Sequence, residues 1–242
     1  MRNQILYYAW KYHGEWKQIA KAICEQEKWD VLSYEGQFVT IVDDEYPNSL
    51  RMLEFPPWIL FYEGDWTLLE RKAVAVIGSR KTSFYGKKAC EHVVSLLKKR
   101  YVIISGVAKG IDRFAHQEAL SHHTIGIIGC GLDISYPKEN TLLYQQLKKN
   151  HLIISEYPKG VKPLAHHFPW RNRLIAALSS SIIVIEANIK SGTMLTVNEG
   201  LILNKSIYCI PHAYFEEQGK GCNLLISQGA NVIVDDQDIE HI

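Results

Sequence analysis

Hydrophobic residues in this chain gather into short unbroken runs set apart by segments of helical period. Ala73-Val74-Ala75-Val76-Ile77 forms one run and ends in Gly78-Ser79-Arg80. Tyr101-Val102-Ile103-Ile104 forms another and ends in Ser105-Gly106-Val107-Ala108-Lys109-Gly110-Ile111-Asp112. Between them, Gly86 to Arg100 sets Ala89, Val93, Leu96 and Leu97 at i, i+4, i+7 and i+8, with Cys90 and Val94 flanking, so one helical face is apolar. The pattern predicts a βαβ unit. Strands that are apolar throughout, rather than at alternate positions, suit a parallel sheet covered on both faces.

The same rhythm continues toward the C-terminus. Asp112 is placed to cap a helix from Arg113 to about Ser121, with Phe114, Ala115 and Ala119 inward. A third strand, Thr124 to Ile128, ends in Gly129-Cys130-Gly131-Leu132-Asp133, and Pro137 then opens a helix that includes Leu142, Leu143 and Leu147. Leu152-Ile153-Ile154 ends in Ser155-Glu156-Tyr157-Pro158. Ile182-Ile183-Val184-Ile185 ends in Glu186-Ala187 and precedes Ser191-Gly192-Thr193 at the head of another helix, and Ile207-Tyr208-Cys209-Ile210 stops at Pro211. Strands and helices alternating at this pace predict a doubly wound α/β fold with a mostly parallel sheet. In such a fold the loops beyond the strand C-termini share one edge and build the ligand site.

Before these repeats, Glu15 to Lys28 carries Trp16, Ile19, Ala20 and Ile23 on one helical face, and Ile5, Leu6 and Ala9 suggest a partner helix. Two short helices bury too little on their own, so residues 1–43 are expected to form a small helical cap on a main domain spanning 44–242. Phe38 to Val42 reads as extended. Tyr46-Pro47 and Pro56-Pro57 argue against helix in the connection, and Trp58 to Tyr62 reads as a strand ending at Gly64-Asp65.

Composition narrows the class. With 242 residues, 47% hydrophobic and 22% charged, the chain is that of an ordinary globular protein. Its net charge of +1 means that a polyanionic partner must be held by a local cluster. The five cysteines, Cys24, Cys90, Cys130, Cys209 and Cys222, show no C-x-x-C spacing and read as reduced thiols of a cytoplasmic protein. No apolar stretch has the length of a signal peptide or a membrane span, so no membrane partner is expected.

Candidate chemistry lies on the predicted sheet edge. Glycine turns ahead of helices can converge backbone N–H groups on an anion, with Arg80 and Lys109 placed to close over it. The same glycines would also serve as plain corners of an α/β sheet. The segment Phe168-Pro169-Trp170-Arg171-Asn172-Arg173 pairs phosphate-binding donors with two flat aromatic faces, read as a loop suited to nucleic acid. The competing reading is a helix N-terminus whose arginines pair with carboxylates such as Glu186. Lys98-Lys99-Arg100 and Lys148-Lys149 sit at helix ends and read as solvated faces.

The order of these motifs resembles the DprA/Smf DNA-processing family over roughly Asp44 to Val234. It begins with Tyr46-Pro47, the Pro-Pro-Trp-x-Leu-Phe-Tyr-x-Gly-Asp lead-in, Val76 to Arg80, Ser83 to Gly86, Ser105 to Asp112 and Gly129 to Pro137. It continues through Ser155 to Tyr157, Phe168 to Arg173, Glu186-Ala187, Ser191 to Thr193 and Gly221 to Gly229. The resemblance implies an extended Rossmann-like domain that binds single-stranded DNA, forms a homodimer and helps load RecA recombinase on incoming strands during natural transformation. The DNA contacts it implies are Gly78, Ser79, Arg80, Lys109, Phe168, Arg171, Asn172, Arg173, Lys190, Ser191, Gly192 and Thr193. Lys109 stands where the family often has arginine, and His212 where it usually has glycine. No C-terminal winged-helix module is expected within the chain, which stops at Ile242.

Two other classes fit less well. A nicotinamide enzyme would need G-x-G-x-x-G and an acid after the second strand, where this chain has Gly78-Ser79-Arg80 and Ser105. A nucleotide hydrolase of phosphoribohydrolase type could draw on Asp112, Glu186 and Glu199, but Glu199 lies farther from Gly192-Thr193 than that chemistry uses. His116, His122, His123, His166 and His167 show no metal-ligand spacing with cysteines or carboxylates and read as surface or hydrogen-bonding groups. The expectation is a DNA-binding protein rather than an enzyme, with no cofactor and no metal.

Overall fold

A nine-stranded sheet in the order β1-β2-β6-β5-β4-β3-β7-β8-β9 forms the centre of the molecule, in a computed structural model that describes residues 1–242. Helices α1 (Arg2–Lys11) and α2 (Trp16–Cys24) lead into β1 (Gln37–Thr40), the single-turn α3 (Asn48–Arg51) and β2 (Ile59–Gly64). The alternating part follows as β3 (Ala73–Gly78), α4 (Phe84–Leu97), β4 (Val102–Gly106), α5 (Ile111–Ala119), β5 (Thr124–Ile128), α6 (Thr141–Asn150) and β6 (Leu152–Ser155). It ends with α7 (His167–Leu178), β7 (Ser181–Glu186), α8 (Gly192–Ile202), β8 (Ser206–Cys209), α9 (Lys220–Ser227), β9 (Asn231–Val232) and α10 (Asp236–Glu240).

The seven strands β6-β5-β4-β3-β7-β8-β9 pair in parallel, while β2 joins β6 antiparallel and β1 joins β2 antiparallel. The doubly wound, mostly parallel architecture read from the apolar runs is therefore the one observed, with a small antiparallel extension at one edge. Strand burial explains the runs: every residue of β4, β5, β6 and β7 is buried. Along β3, Val74 and Val76 pack on one face with Val93, Ile111 and Ala115, and Ala73, Ala75 and Ile77 pack on the other with Leu174, Ala177 and Val197. Helices α4 and α5 thus cover one face and α7 and α8 the other. No helix is long and apolar enough to cross a membrane.

Local differences from the sequence pattern have simple causes. The apolar face of α4 centres on Cys90, Val93, Val94 and Leu97, so Cys90 and Val94 are core while Ala89 and Leu96 are only partly buried. Asp112 does not cap α5. The N-cap is Gly110, at φ 78, because its loop presses against the Ser79 carbonyl and leaves no room for a Cβ. Pro47 is itself the N-cap of α3, so a helical turn does begin in the connection, contrary to the expectation from its prolines. Leu142 is 75% exposed, since a 3₁₀ turn at Lys138–Asn140 delays α6 and turns Leu143 and Leu147 inward instead. α1 and α2 pack through Ile5, Tyr8 and Ile19 against Ile59, Phe61, Leu147 and Ile153. β1 lies within the first 43 residues and yet edges the sheet. Of the cysteines, four are buried thiols and Cys24 is exposed.

His116 is fully buried on α5, with Nε2 2.7 Å from the Gly106 carbonyl oxygen and Nδ1 2.7 Å from Thr124 Oγ1. Burial pulls its pKa down from 6.5 to about 4. The unfolded chain therefore takes up the proton first, so this group's contribution is complete above pH 6.5 and is lost as pH falls toward 4. Urea unfolding across that range should show a loss of about 3 kcal/mol from this residue. The His116→Gln variant should show a correspondingly flatter pH profile; an unchanged slope would assign the effect to other groups.

Candidate nucleic-acid interface

Strand order reverses between β3 and β7, and a cleft of about 660 Å³ opens over their C-terminal ends. Its walls come from three strand-to-helix connections and from α7. Gly78, Ser79, Arg80 and Lys81 follow β3, Ala108 and Asp112 follow β4, and Asn188, Ser191, Gly192 and Thr193 follow β7. α7 supplies Phe168, Arg171 and Asn172. Beside it, a recess of about 100 Å³ shares Arg80, Tyr136, Phe168 and Arg171 and adds Lys109.

Three helix N-termini surround the reversal, and two already hold carboxylates. The head of α4 is met by Glu186, whose carboxylate accepts from the Ser83 backbone N–H (3.0 Å) and hydroxyl (2.5 Å), while Ser83 Oγ accepts from Gly86 N–H. α5 carries Asp112 in its first turn. The head of α8 differs: Ser191 makes no capping bond, its buried hydroxyl has no hydrogen-bond partner, and the first N–H groups of a helix have no intrahelical acceptor. This positive helix end borders the cleft.

Arginine side chains set the electrostatics. Arg171 is buried, donates through Nη1 to the Ile127 carbonyl oxygen, and keeps an Nε with no partner. It packs with Asp112 over Gly106, where a Cβ would strike both groups. Burial pushes the Asp112 carboxyl above its ordinary value, with the Arg171 charge opposing the shift. The guanidinium keeps its proton. Arg80 is exposed and lies over the Phe168 ring at 5.5 Å. Tyr136 sits beside the same ring, centroids 5.5 Å apart and planes at 36°. Asn172 donates to the Gly192 carbonyl oxygen at 3.3 Å and so ties α7 to the head of α8.

The segment read as a loop, Phe168 to Arg173, is instead the first two turns of α7, with Pro169 tolerated near the start. Helical period then divides it. Phe168, Arg171 and Asn172, at i, i+3 and i+4, face the cleft, whereas Trp170 and Arg173 face away. Arg173 forms a bidentate pair with Glu156 (2.5 and 2.7 Å), both side chains 5% exposed, and Trp170 packs on that guanidinium and on Phe55. Arginine–carboxylate pairing was the competing sequence reading. It holds for Arg173, but the partner is Glu156 rather than Glu186. Convergence of Arg80, Arg171 and Arg173 on one ligand is therefore restricted to the first two. Lys109 reaches the recess while paired with Glu139 at 2.5 Å, and Lys190 is exposed on the loop before α8, outside the cleft lining. Sequence reasoning passed over Lys81 and Tyr136; their signals were adjacency to Arg80 and a place at the end of the Gly129–Pro137 loop. Of the carboxylates that a hydrolase could use, Asp112 faces the cleft, Glu186 caps α4 and Glu199 lines a separate groove with Arg173.

Histidines also meet a carboxylate that sequence spacing did not reveal. Glu15, His166 and His167 bring ligand atoms within 4.8 Å of one another across 151 positions of chain.

Residues 37–241 match the family model for DNA recombination-mediator protein A. The chain belongs to that family. The DNA processing protein DprA of Streptococcus pneumoniae is 42% identical over 202 residues, covering 83% of this chain and 72% of that protein. An X-ray structure of the S. pneumoniae protein superposes with a TM-score of 0.84 at 34% identity, over 99% of this chain and 92% of the other. DNA processing protein A from Helicobacter pylori, described for its single-stranded DNA binding mode, matches with a TM-score of 0.78 at 34% identity, over 86% and 96%. These matches agree with the resemblance carried by the motifs from Tyr46 to Gly229.

The Arg173–Glu156 pair generates a stability prediction. Arg173→Ala leaves a buried carboxylate without its partner and should cost about 3–5 kcal/mol in urea unfolding. Removing Glu156 as well should cost less than the sum of the two single changes, and strict additivity would show that the pair is not coupled.

Proposed function

We propose that this protein binds single-stranded DNA in the cleft between β3, β7 and α7. The observation that carries the reading is the buried Arg171 guanidinium lining, with the exposed Arg80, a cleft bordered by the uncapped head of α8. Such a site favours an anion. Arg80 and Lys81 reach it from the β3–α4 connection, and Phe168 and Tyr136 offer flat faces beside the phosphate positions. Bases stack on such faces only when unpaired, which selects single strands over duplex. Gly78, Ser79, Asn172, Ser191, Gly192 and Thr193 would complete the contacts, with Lys109 at the recess and Lys190 at the rim. The single-stranded DNA binding described for the H. pylori relative supports the choice of ligand.

In keeping with the family, the role extends to protecting incoming strands and helping to load RecA recombinase during natural transformation, with a homodimer in the cytoplasm as the working form. Self-association is supported by the open β9 end of the sheet, where the apolar Val232 and Val234 are exposed. Two clefts on one particle would grip one strand by avidity. Of the three carboxylates weighed for a hydrolase, only Asp112 lines the cleft, which favours binding over catalysis.

Fluorescence anisotropy with matched single-stranded and duplex oligonucleotides tests the proposal. Single strands should bind more tightly, with a log–log salt slope of about −2 to −4, reflecting roughly three to five neutralised phosphates. Arg80→Ala should weaken binding by about 1–3 kcal/mol without changing the melting temperature, because its side chain is exposed. Arg171→Ala should lose affinity and stability together, since Asp112 is then buried without its neighbouring charge. Equal affinity for duplex, or an Arg80→Ala variant that binds normally, would overturn the assignment.

A further inference from the structure

Away from the cleft, the cap and the sheet domain meet at a cluster of metal-ligating side chains. Glu15 stands at the N-cap of α2, and His166 and His167 stand at the head of α7. His167 is 1% exposed, its ring stacked on Tyr157 at 3.9 Å and 17°. Its Nδ1 lies 3.0 Å from the Gly129 carbonyl oxygen and donates to it, which leaves Nε2 as the lone-pair nitrogen. That nitrogen points at Glu15 Oε1 from 3.7 Å, beyond hydrogen-bond reach, and His166 Nε2 lies 3.3 Å from the same oxygen. A buried imidazole with its tautomer fixed by a backbone carbonyl and its free nitrogen aimed at a carboxylate is arranged as a metal-bound histidine is arranged. Two acceptors facing each other in this way are reconciled by a cation between them.

We propose that Glu15, His166 and His167 form a binding site for one zinc-class divalent cation that fastens the N-terminal helical pair to the head of α7. Two imidazole nitrogens and one carboxylate oxygen suit zinc and its late transition-metal neighbours rather than magnesium or calcium, which prefer all-oxygen shells. Ligand atoms about 2.0–2.1 Å from a tetrahedral zinc ion lie roughly 3.3 Å apart, so the 3.3 and 3.7 Å edges need little adjustment. The third edge closes by rotation of His166, whose side chain is 64% exposed. Three protein ligands leave the fourth position to water. Because α7 also carries Phe168, Arg171 and Asn172, a cation at its first residues would fix one wall of the cleft to the cap; the site itself does not rest on the DNA-binding reading.

The test uses the full chain after chelator treatment, titrated with zinc chloride against a chromophoric zinc indicator and followed by thermal melting. One zinc per chain should bind in the micromolar range or tighter, and saturating zinc should raise the melting temperature where magnesium does not. Glu15→Gln and His166→Ala alter partly or largely exposed side chains and should melt like the wild type without metal. Each should weaken zinc binding roughly tenfold or more and abolish the melting shift. Cobalt(II) should give the visible absorption of a tetrahedral site in the wild type and lose it in both variants. Failure to bind zinc in the micromolar range, or undiminished binding by Glu15→Gln and His166→Ala, would overturn the site and place any bound metal on other histidines.

Discussion

Parallel crossovers carry the chain from β3 through β4, β5 and β6 in one direction and through β7, β8 and β9 in the other. The two series diverge from the β3–β7 pair, so their connecting helices lie on opposite faces and leave the carboxyl ends of these strands uncovered. Everything that distinguishes the cleft depends on that divergence. Loops from β3, β4 and β7 reach it without competing for space, and α7 crosses one side as a wall. Strand order thus places Ser79 and Ser191, more than a hundred positions apart in sequence, in one cleft.

Carboxylates decide which helix end remains available. Glu186 bonds the head of α4 and Asp112 stands in the first turn of α5, whereas the first turn of α8 has neither an acidic residue nor a side-chain cap. α7 is divided in a comparable way. Its inner face turns Arg171 toward the cleft, and its outer face commits Arg173 to Glu156 under Trp170. Two arginines two residues apart therefore have different surroundings, one with a buried Nε that has no partner and one that donates four hydrogen bonds.

Much of this was legible in the sequence because parallel strands buried on both faces carry unbroken apolar runs, and β3 to β7 each have one. Arg80 and the Ser191-Gly192-Thr193 segment could be placed for the same reason, since they directly follow such strands. Phe168 to Arg173 was harder. Its aromatic and basic composition resembles a binding loop, and only the apolar stretch from Leu174 to Ala177 betrays that it opens a buried helix. The partner of Arg173 could not be read at all, because no spacing rule shows that Glu156, in the connection after β6, meets the outer face of α7. Glu15 and the two histidines were hidden for the same reason: packing of α1 and α2 on the sheet, not spacing along the chain, brings them together.

Glu186 also closes a short circuit of backbone. Its carbonyl oxygen accepts from Ser79 N–H at 2.7 Å and its carboxylate holds Ser83, so both ends of the segment bearing Arg80 and Lys81 are fastened to one residue. Within it, Thr82 Oγ1 donates to the Ser79 carbonyl and Lys81 N–H donates to Ser79 Oγ. Ordering a free backbone costs about 1–2 kcal/mol per residue, and here that entropy is already lost when the chain folds. A ligand arriving at this segment has only the two long side chains left to immobilise.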